Sequence, residues 1–215
     1  MNGLFITFEG CEGSGKTSVI ERLVEYLRKH NIPVYKTREP GGSKIAEDIR
    51  NVILDVANTN MDSITEAMLY AASRRQHLVE KVIPYLEKGY VVICDRYLDS
   101  SLAYQGYARE IGIDRVYDIN MAATDGLLPD LTIYIDLEPS IGLKRISANN
   151  REQNRLDLEK LDFHKKVYEG YNIIAKKYSD RIKVINGNQT KDEVLNDTIK
   201  LVNAFLKDRY NNGLQ

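Results

Sequence analysis

Residues 10–17 read GCEGSGKT, a full match to G-x-x-x-x-G-K-[ST], and what flanks them constrains the fold more than any other stretch. An apolar run from Leu4 to Glu9 leads into the loop. Behind it, Lys16 to Lys29 carries Val19, Ile20, Leu23, Val24 and Leu27 at helical spacing on one face. The order is therefore strand, glycine loop, helix. Gly10, Gly13 and Gly15 have no Cβ and tolerate backbone angles closed to other residues, so successive N–H groups can turn inward around an anion. A helix starting at Lys16 points its positive end at the same spot. The motif predicts that Gly10, Cys11, Glu12, Gly13, Ser14, Gly15, Lys16, Thr17 and Ser18 cradle a triphosphate. Lys16 is expected on the outer phosphates and the Thr17 hydroxyl on Mg²⁺.

The rest of the chain repeats that alternation. Pro33 to Thr37 reads as a second strand, REPGGS (38–43) as a turn, and Lys44 to Leu54 as a helix that Ser43 can cap. A long helix is expected from Asp62-Ser63 to a stop at Gly89, with Pro84 inside it. Tyr90 to Cys94 is unbroken apolar, the pattern of a parallel strand covered on both faces, and it ends in Asp95-Arg96-Tyr97. Helices are then predicted over Leu98–Tyr107 and Ile113–Asp125, a strand at Leu131–Ile135 and a helix from Pro139 to about Ala148. Residues 149–157, NNREQNRLD, offer almost nothing to bury and are expected to form a mobile lid. A helix from about Glu159 to Tyr178, a fifth strand at Arg181–Ile185 and a helix over Lys191–Lys207 complete the chain. Five strands alternating with helices imply an α/β fold, a parallel sheet between helical layers, with ligands outside the carboxyl ends of the strands. At 215 residues, without a linker or repeat, one domain is expected.

Thirty basic residues against 31 acidic ones leave a net charge of −1, so nothing global argues for a nucleic acid or membrane partner. Phosphate binding must come from particular arginines. Arg38 and Arg96 lie at strand ends, and Arg50 and Arg74 lie on helices expected to flank the same edge, a set that suggests a second phosphate on an acceptor. Asp95, closing an apolar strand, is the expected second Mg²⁺ ligand. The loop positions Cys11 to Ser14 include no base, whereas Arg151 and Arg155 in the lid stand four residues apart and can bring positive charge to a transferring phosphoryl group. Cys11 and Cys94 have neither zinc nor disulfide spacing, no signal-peptide pattern opens the chain, and no apolar run approaches the ~20 residues of a membrane span, so a cytoplasmic protein is expected. Thr190-Lys191-Asp192-Glu193 nearly matches the T-K-x-D guanine-reading motif, but Glu193 fits a capping box at the last helix better.

The stretches FEGCEGSGKTS, TREPGG, EAMLYAASRRQH, DRYLDSSLAYQGYA, LPDLTIYIDL and NRLDLEKLDFHKKVYEGY together resemble the bacterial thymidylate kinases over essentially the whole chain. The resemblance implies a three-layer nucleoside-monophosphate-kinase-like fold. It also implies transfer of the γ-phosphoryl of ATP to thymidine monophosphate (dTMP), with Mg²⁺ and as a homodimer. By that likeness Arg74 and Arg96 hold the acceptor phosphate, with Arg38, Pro40 and Arg50 near it. Ser100, Ser101 and Gln105 meet the thymine edge, Tyr104 stacks against the sugar, and Tyr70 stacks on the base. Glu12 serves the sugar 3′-hydroxyl and the metal, and Arg151 and Arg155 are the lid arginines of the subgroup whose loop has no arginine. Three positions depart from the family pattern: Tyr70 stands for a phenylalanine, Cys11 for a frequent proline, and Glu110 for a glycine, placing negative charge near an anionic substrate. The alternatives are a kinase for another nucleoside monophosphate and a nucleotide-operated switch.

Overall fold

The computed structural model describes residues 2–147 and 155–210. Five strands, β1 (Leu4–Glu9), β2 (Val34–Arg38), β3 (Val91–Asp95), β4 (Leu131–Asp136) and β5 (Ile182–Asn186), pair in parallel in the order β2-β3-β1-β4-β5. Side chains alternate across the sheet. Leu4, Ile6 and Phe8 of β1 pack with Val91 and Ile93 of β3 under α1 (Lys16–Lys29), while Phe5, Val92 and Cys94 face the opposite layer. Both faces are covered, which is why β1, β3 and β4 read as continuous apolar runs rather than alternating ones.

The other helices are α2 (Lys44–Leu54), α3 (Ser63–His77), α4 (Ile83–Glu87), α5 (Leu98–Ser101), α6 (Ile113–Thr124), α7 (Pro139–Ser147), α8 (Leu161–Lys177) and α9 (Lys191–Tyr210). Two expected helices contain a wider turn. Between α3 and α4 a π-helical stretch, Leu78–Val82, precedes Pro84, whose missing N–H cannot continue the ordinary ladder. After α5 the chain widens again over Leu102–Ala108, the segment that carries Tyr104 and Gln105. Ser43 sits at the cap position of α2, but its hydroxyl makes no capping bond; Glu47, held by Arg38 at 3.0 Å, instead accepts from the Gly42 N–H at 2.7 Å. At α9 the capping box forms, with Thr190 N–H donating to Glu193 at 2.9 Å and Glu193 N–H to the Thr190 hydroxyl at 3.3 Å.

Strand register collects the chemistry at one edge. Arg38 and Asp95 are partners across β2 and β3, Phe8 pairs with Asp95 across β1 and β3, and Glu9 pairs with Tyr134 across β1 and β4. The α7 helix seats directly on the glycine loop. Gly13 has φ +73°, and a Cβ there would lie 2.2 Å from the Gly142 carbonyl oxygen; a Cβ on Gly142 would lie 2.1 Å from that of Glu12. Backbone against backbone leaves no flexible side chain to yield. Gly142→Ala is therefore expected to push α7 off the loop and raise the KM for ATP by roughly tenfold to a hundredfold, with a smaller effect on melting temperature. Steady-state kinetics with varied ATP tests this, and an unchanged KM would show that the contact does not shape the loop.

Candidate active site

A cavity of about 970 Å³ runs along the carboxyl edge of the sheet. Its middle is the glycine loop and the first turn of α1, from Glu12 to Val19. One arm is lined by Arg38, Pro40, Arg50, Tyr70, Arg96 and Tyr104, with Arg74, Ser101 and Gln105 behind them, and the other by Arg145, Gln189, Thr190 and Lys191. The Thr190–Glu193 box thus caps α9 while Thr190 also borders the cavity.

Within the loop, buried Lys16 turns its ammonium to the carbonyls of Gly10 (2.9 Å) and Cys11 (3.0 Å) and to the Ser14 hydroxyl (3.2 Å). Burial and the nearby Arg96 guanidinium lower its proton affinity, against Asp95 and Glu12. The Thr17 hydroxyl donates to Asp95 at 3.2 Å, which brings the two expected metal ligands together. Both are oxygen donors, the set a hard divalent cation takes.

Arg96 is the centre of the acceptor arm. It sits at φ +68°, an uncommon conformation for a residue with a side chain, immediately after β3. The guanidinium donates to Glu12 at 2.6 Å, to the Tyr171 hydroxyl at 3.0 Å and to the Ser100 hydroxyl at 3.2 Å, and lies 5.3 Å above the Tyr104 ring. Arg38 and Arg50 converge on the Pro40 carbonyl, at 2.7 and 2.9 Å.

Two further arginines are held by buried carboxylates. Arg74 is only 2% exposed, and its guanidinium is committed to Glu39 (2.7 Å), Ser101 (3.1 Å) and Asn120. It lines the same cavity as Arg38, Arg50 and Arg96, with its guanidinium beside Ser101. Arg155 is buried against α2 and α3, donating to the Ile53 carbonyl at 2.9 Å and to the Glu66 carboxylate, because that buried charge requires a partner. It does not line the cavity. Arg151 lies outside the described residues, as does most of the expected lid.

A family model described as thymidylate kinase matches residues 8–198. The chain belongs to the thymidylate kinase family. A thymidylate kinase of Clostridium novyi is 61% identical over 206 residues, covering 95% of this chain and 98% of its own. One of Oceanobacillus iheyensis is 54% identical over 214 residues, covering 99% and 95%. The crystal structure of thymidylate kinase from Ehrlichia chaffeensis superposes with a TM-score of 0.75 at 34% identity, over 94% of this chain and 99% of that one.

Four features of this thymidylate kinase family member escape sequence reading or depart from it. Glu110 has φ +60°, which suits the glycine usual there, and its carboxylate pairs with Lys166 at 2.5 Å on the surface; it is outside the cavity lining, so the expected charge near the substrate is not there. Cys11 is buried, and burial pushes its thiol up to about 12, an unreactive group. Tyr70 is half-buried on the cavity wall, its phenol pushed up by burial and by Glu66.

The fourth is Glu9, the one charged residue in LFITFE, to which the sequence reading gives no role. It is buried, and it accepts from the Tyr97 N–H (2.8 Å), the Ser100 hydroxyl (2.6 Å) and the Tyr171 hydroxyl (2.8 Å), the same two hydroxyls that hold Arg96. Burial and the Asp99 carboxylate push its pKa up to about 7, against Arg96 and these hydroxyls. The folded protein therefore binds this proton more tightly than the unfolded chain, and stability falls as pH rises from about 4.5 to about 7. A neutral glutamine lacks that loss. The cost of Glu9→Gln in urea denaturation should shrink by on the order of 2 kcal/mol between pH 5 and pH 8. Equal costs at both pH values would contradict a proton held on Glu9.

Proposed function

We propose that this cavity transfers the γ-phosphoryl group of ATP to dTMP, giving ADP and dTDP, with the glycine loop on the donor and the arginine arm on the acceptor. The observation that carries this reading is continuity: the loop, Lys16 and Arg96 line the same space as Tyr70, Ser101, Tyr104 and Gln105. Membership of the thymidylate kinase family supplies the substrate pair.

In this reading the loop N–H groups and the positive end of α1 hold the donor phosphates, and Lys16 exchanges its carbonyl partners for phosphate oxygens. Thr17 and Asp95 would hold Mg²⁺, which would neutralise part of the negative charge of the donor phosphates. Arg96 faces the phosphoryl group between donor and acceptor, kept in place by Glu12, Ser100 and Tyr171. Arg38 and Arg50 add charge at the acceptor phosphate, and Glu12 carries an acceptor for the sugar 3′-hydroxyl. Tyr70 provides a face for the base, and Tyr104 a wall against the sugar. Phosphoryl transfer asks little covalent chemistry of the protein, so positioning and fixed charge are the catalysis. Arg151 brings lid charge to the transferring group, while Arg155 fastens the lid stem to Glu66.

A homodimer fits the exposed apolar side chains Ile45 and Val52 of α2 and Met68 of α3, which lie on neighbouring helices. A cytoplasmic location fits two buried free thiols, and among the described residues no helix is long and apolar enough to cross a membrane.

A coupled assay with ATP and a panel of nucleoside monophosphates tests the substrate, and the absence of preference for dTMP would sink the reading. Alanine at position 96 is no more strained at φ +68° than arginine. Arg96→Ala should thus lower kcat by about 10²–10³-fold while the protein remains folded. Normal turnover in the folded variant would remove Arg96 from the mechanism.

A further inference from the structure

Glu66 is buried on α3, 1% exposed, and gathers donors from three directions. Gln105 Nε2 donates to it at 2.8 Å, Arg109 approaches with two nitrogens at 3.4 Å, and Arg155 donates from the stem that follows the lid. Arg109 also reaches Glu159, at 2.6 Å, in that same stem. Burial works against the Glu66 charge, yet the Gln105 hydrogen bond and the two guanidiniums hold its carboxyl below the ordinary carboxylate range.

An ionised carboxylate has no proton to give, so it can face only the NH₂ end of a carboxamide. That settles which way the Gln105 amide points. Its Nε2 is turned toward Glu66, and its Oε1 is the atom left for the cavity that Gln105 lines. Gln105 is itself 1% exposed, so an oxygen in that position is an acceptor with a desolvation cost whenever no donor meets it.

We propose that Glu66 is a positioning residue for base selection: by locking the Gln105 amide with its oxygen toward the acceptor arm, it makes the site take a pyrimidine with N–H at N3 and reject one with a bare N3. Thymine and uracil carry that N–H. Cytosine presents a lone pair there, and two acceptors then face one another in a water-poor pocket. Without Glu66 the amide could rotate by half a turn and satisfy either base. The proposal rests on the reading that this arm receives the base of the acceptor nucleotide.

Binding of dTMP and of deoxycytidine monophosphate (dCMP), each titrated calorimetrically into the full chain, separates the possibilities. The wild-type protein should favour dTMP; no preference would overturn the underlying reading and this inference with it. Glu66→Gln can present either a donor or an acceptor to Gln105, and should reduce the dTMP-to-dCMP affinity ratio by about tenfold or more. In a Gln105→Leu background the same substitution should leave the ratio unchanged. Arg155→Met disturbs the lid stem but leaves Glu66 and Gln105 in place, and should keep the wild-type ratio whatever it does to turnover. Where Glu66→Gln alone folds poorly, pairing it with Arg155→Met removes the uncompensated guanidinium and should show the same loss of discrimination. A proportional weakening of both nucleotides with the ratio intact, or an equal shift of the ratio by Arg155→Met alone, would overturn the role given to Glu66.

Discussion

The pairing of Arg96 with Glu12, at 2.6 Å, joins the two halves of the site, because one partner belongs to the glycine loop and the other to the end of β3. Neither group is left to find its place in solution. The guanidinium is also held by hydroxyls of Ser100 and Tyr171, and both hydroxyls answer to Glu9 beneath them. A planar cation fixed from below and from the side presents its remaining N–H groups in one direction, toward the cavity. Such a cation does not have to reorganise when charge develops on a phosphoryl group, which is what makes a preset charge worth more than a mobile one.

Support for that pair comes from the sheet. Parallel register brings the ends of β1, β2 and β3 level, so Glu9, Arg38 and Asp95 emerge at one edge from segments far apart in the chain. Glu9 is buried between the apolar layers while Arg38 stays exposed, and around the buried groups the low dielectric strengthens each ion pair and penalises any charge left alone. Three buried carboxylates near the site have cationic company, Glu39 from Arg74, Asp99 from Arg181 at 2.6 Å, and Glu66 from Arg109 and Arg155, whereas Glu9 has no ion pair among the described residues and its pKa is pushed up.

What was legible in the sequence follows from how local each signal is. The glycine loop, the flanking strand and helix, and the capping box at Thr190 depend on residues a few positions apart, and they form at the expected places. Five parallel strands follow from the same alternation. The fates of Arg74 and Arg155 could not be read that way. Each is settled by a carboxylate remote in sequence, Glu39 and Glu66 respectively, and helical spacing says only that an arginine faces inward, not which acid awaits it. The wide turn over Leu102–Ala108 was hidden for a similar reason: it carries no proline, and it places Tyr104 and Gln105 through contact with α8 rather than by propensity.

The reassignment of Arg155 changes what the lid does physically. Arg155 contacts Glu66 and the Ile53 carbonyl, so the end of the expected lid segment is tied to α2 and α3. Glu66 lies in the first turn of α3 and touches Gln105 on its other side, so the same carboxylate meets Arg155 and an amide on the cavity wall. The two contacts use separate donors, the Gln105 amide on one side and the Arg155 guanidinium on the other, and Arg109 remains as a second cation beside the carboxylate. Both contacts depend on the carboxylate being dry and ionised: burial on α3 keeps it dry, and the Gln105 hydrogen bond with the Arg109 and Arg155 guanidiniums holds the charge against that burial.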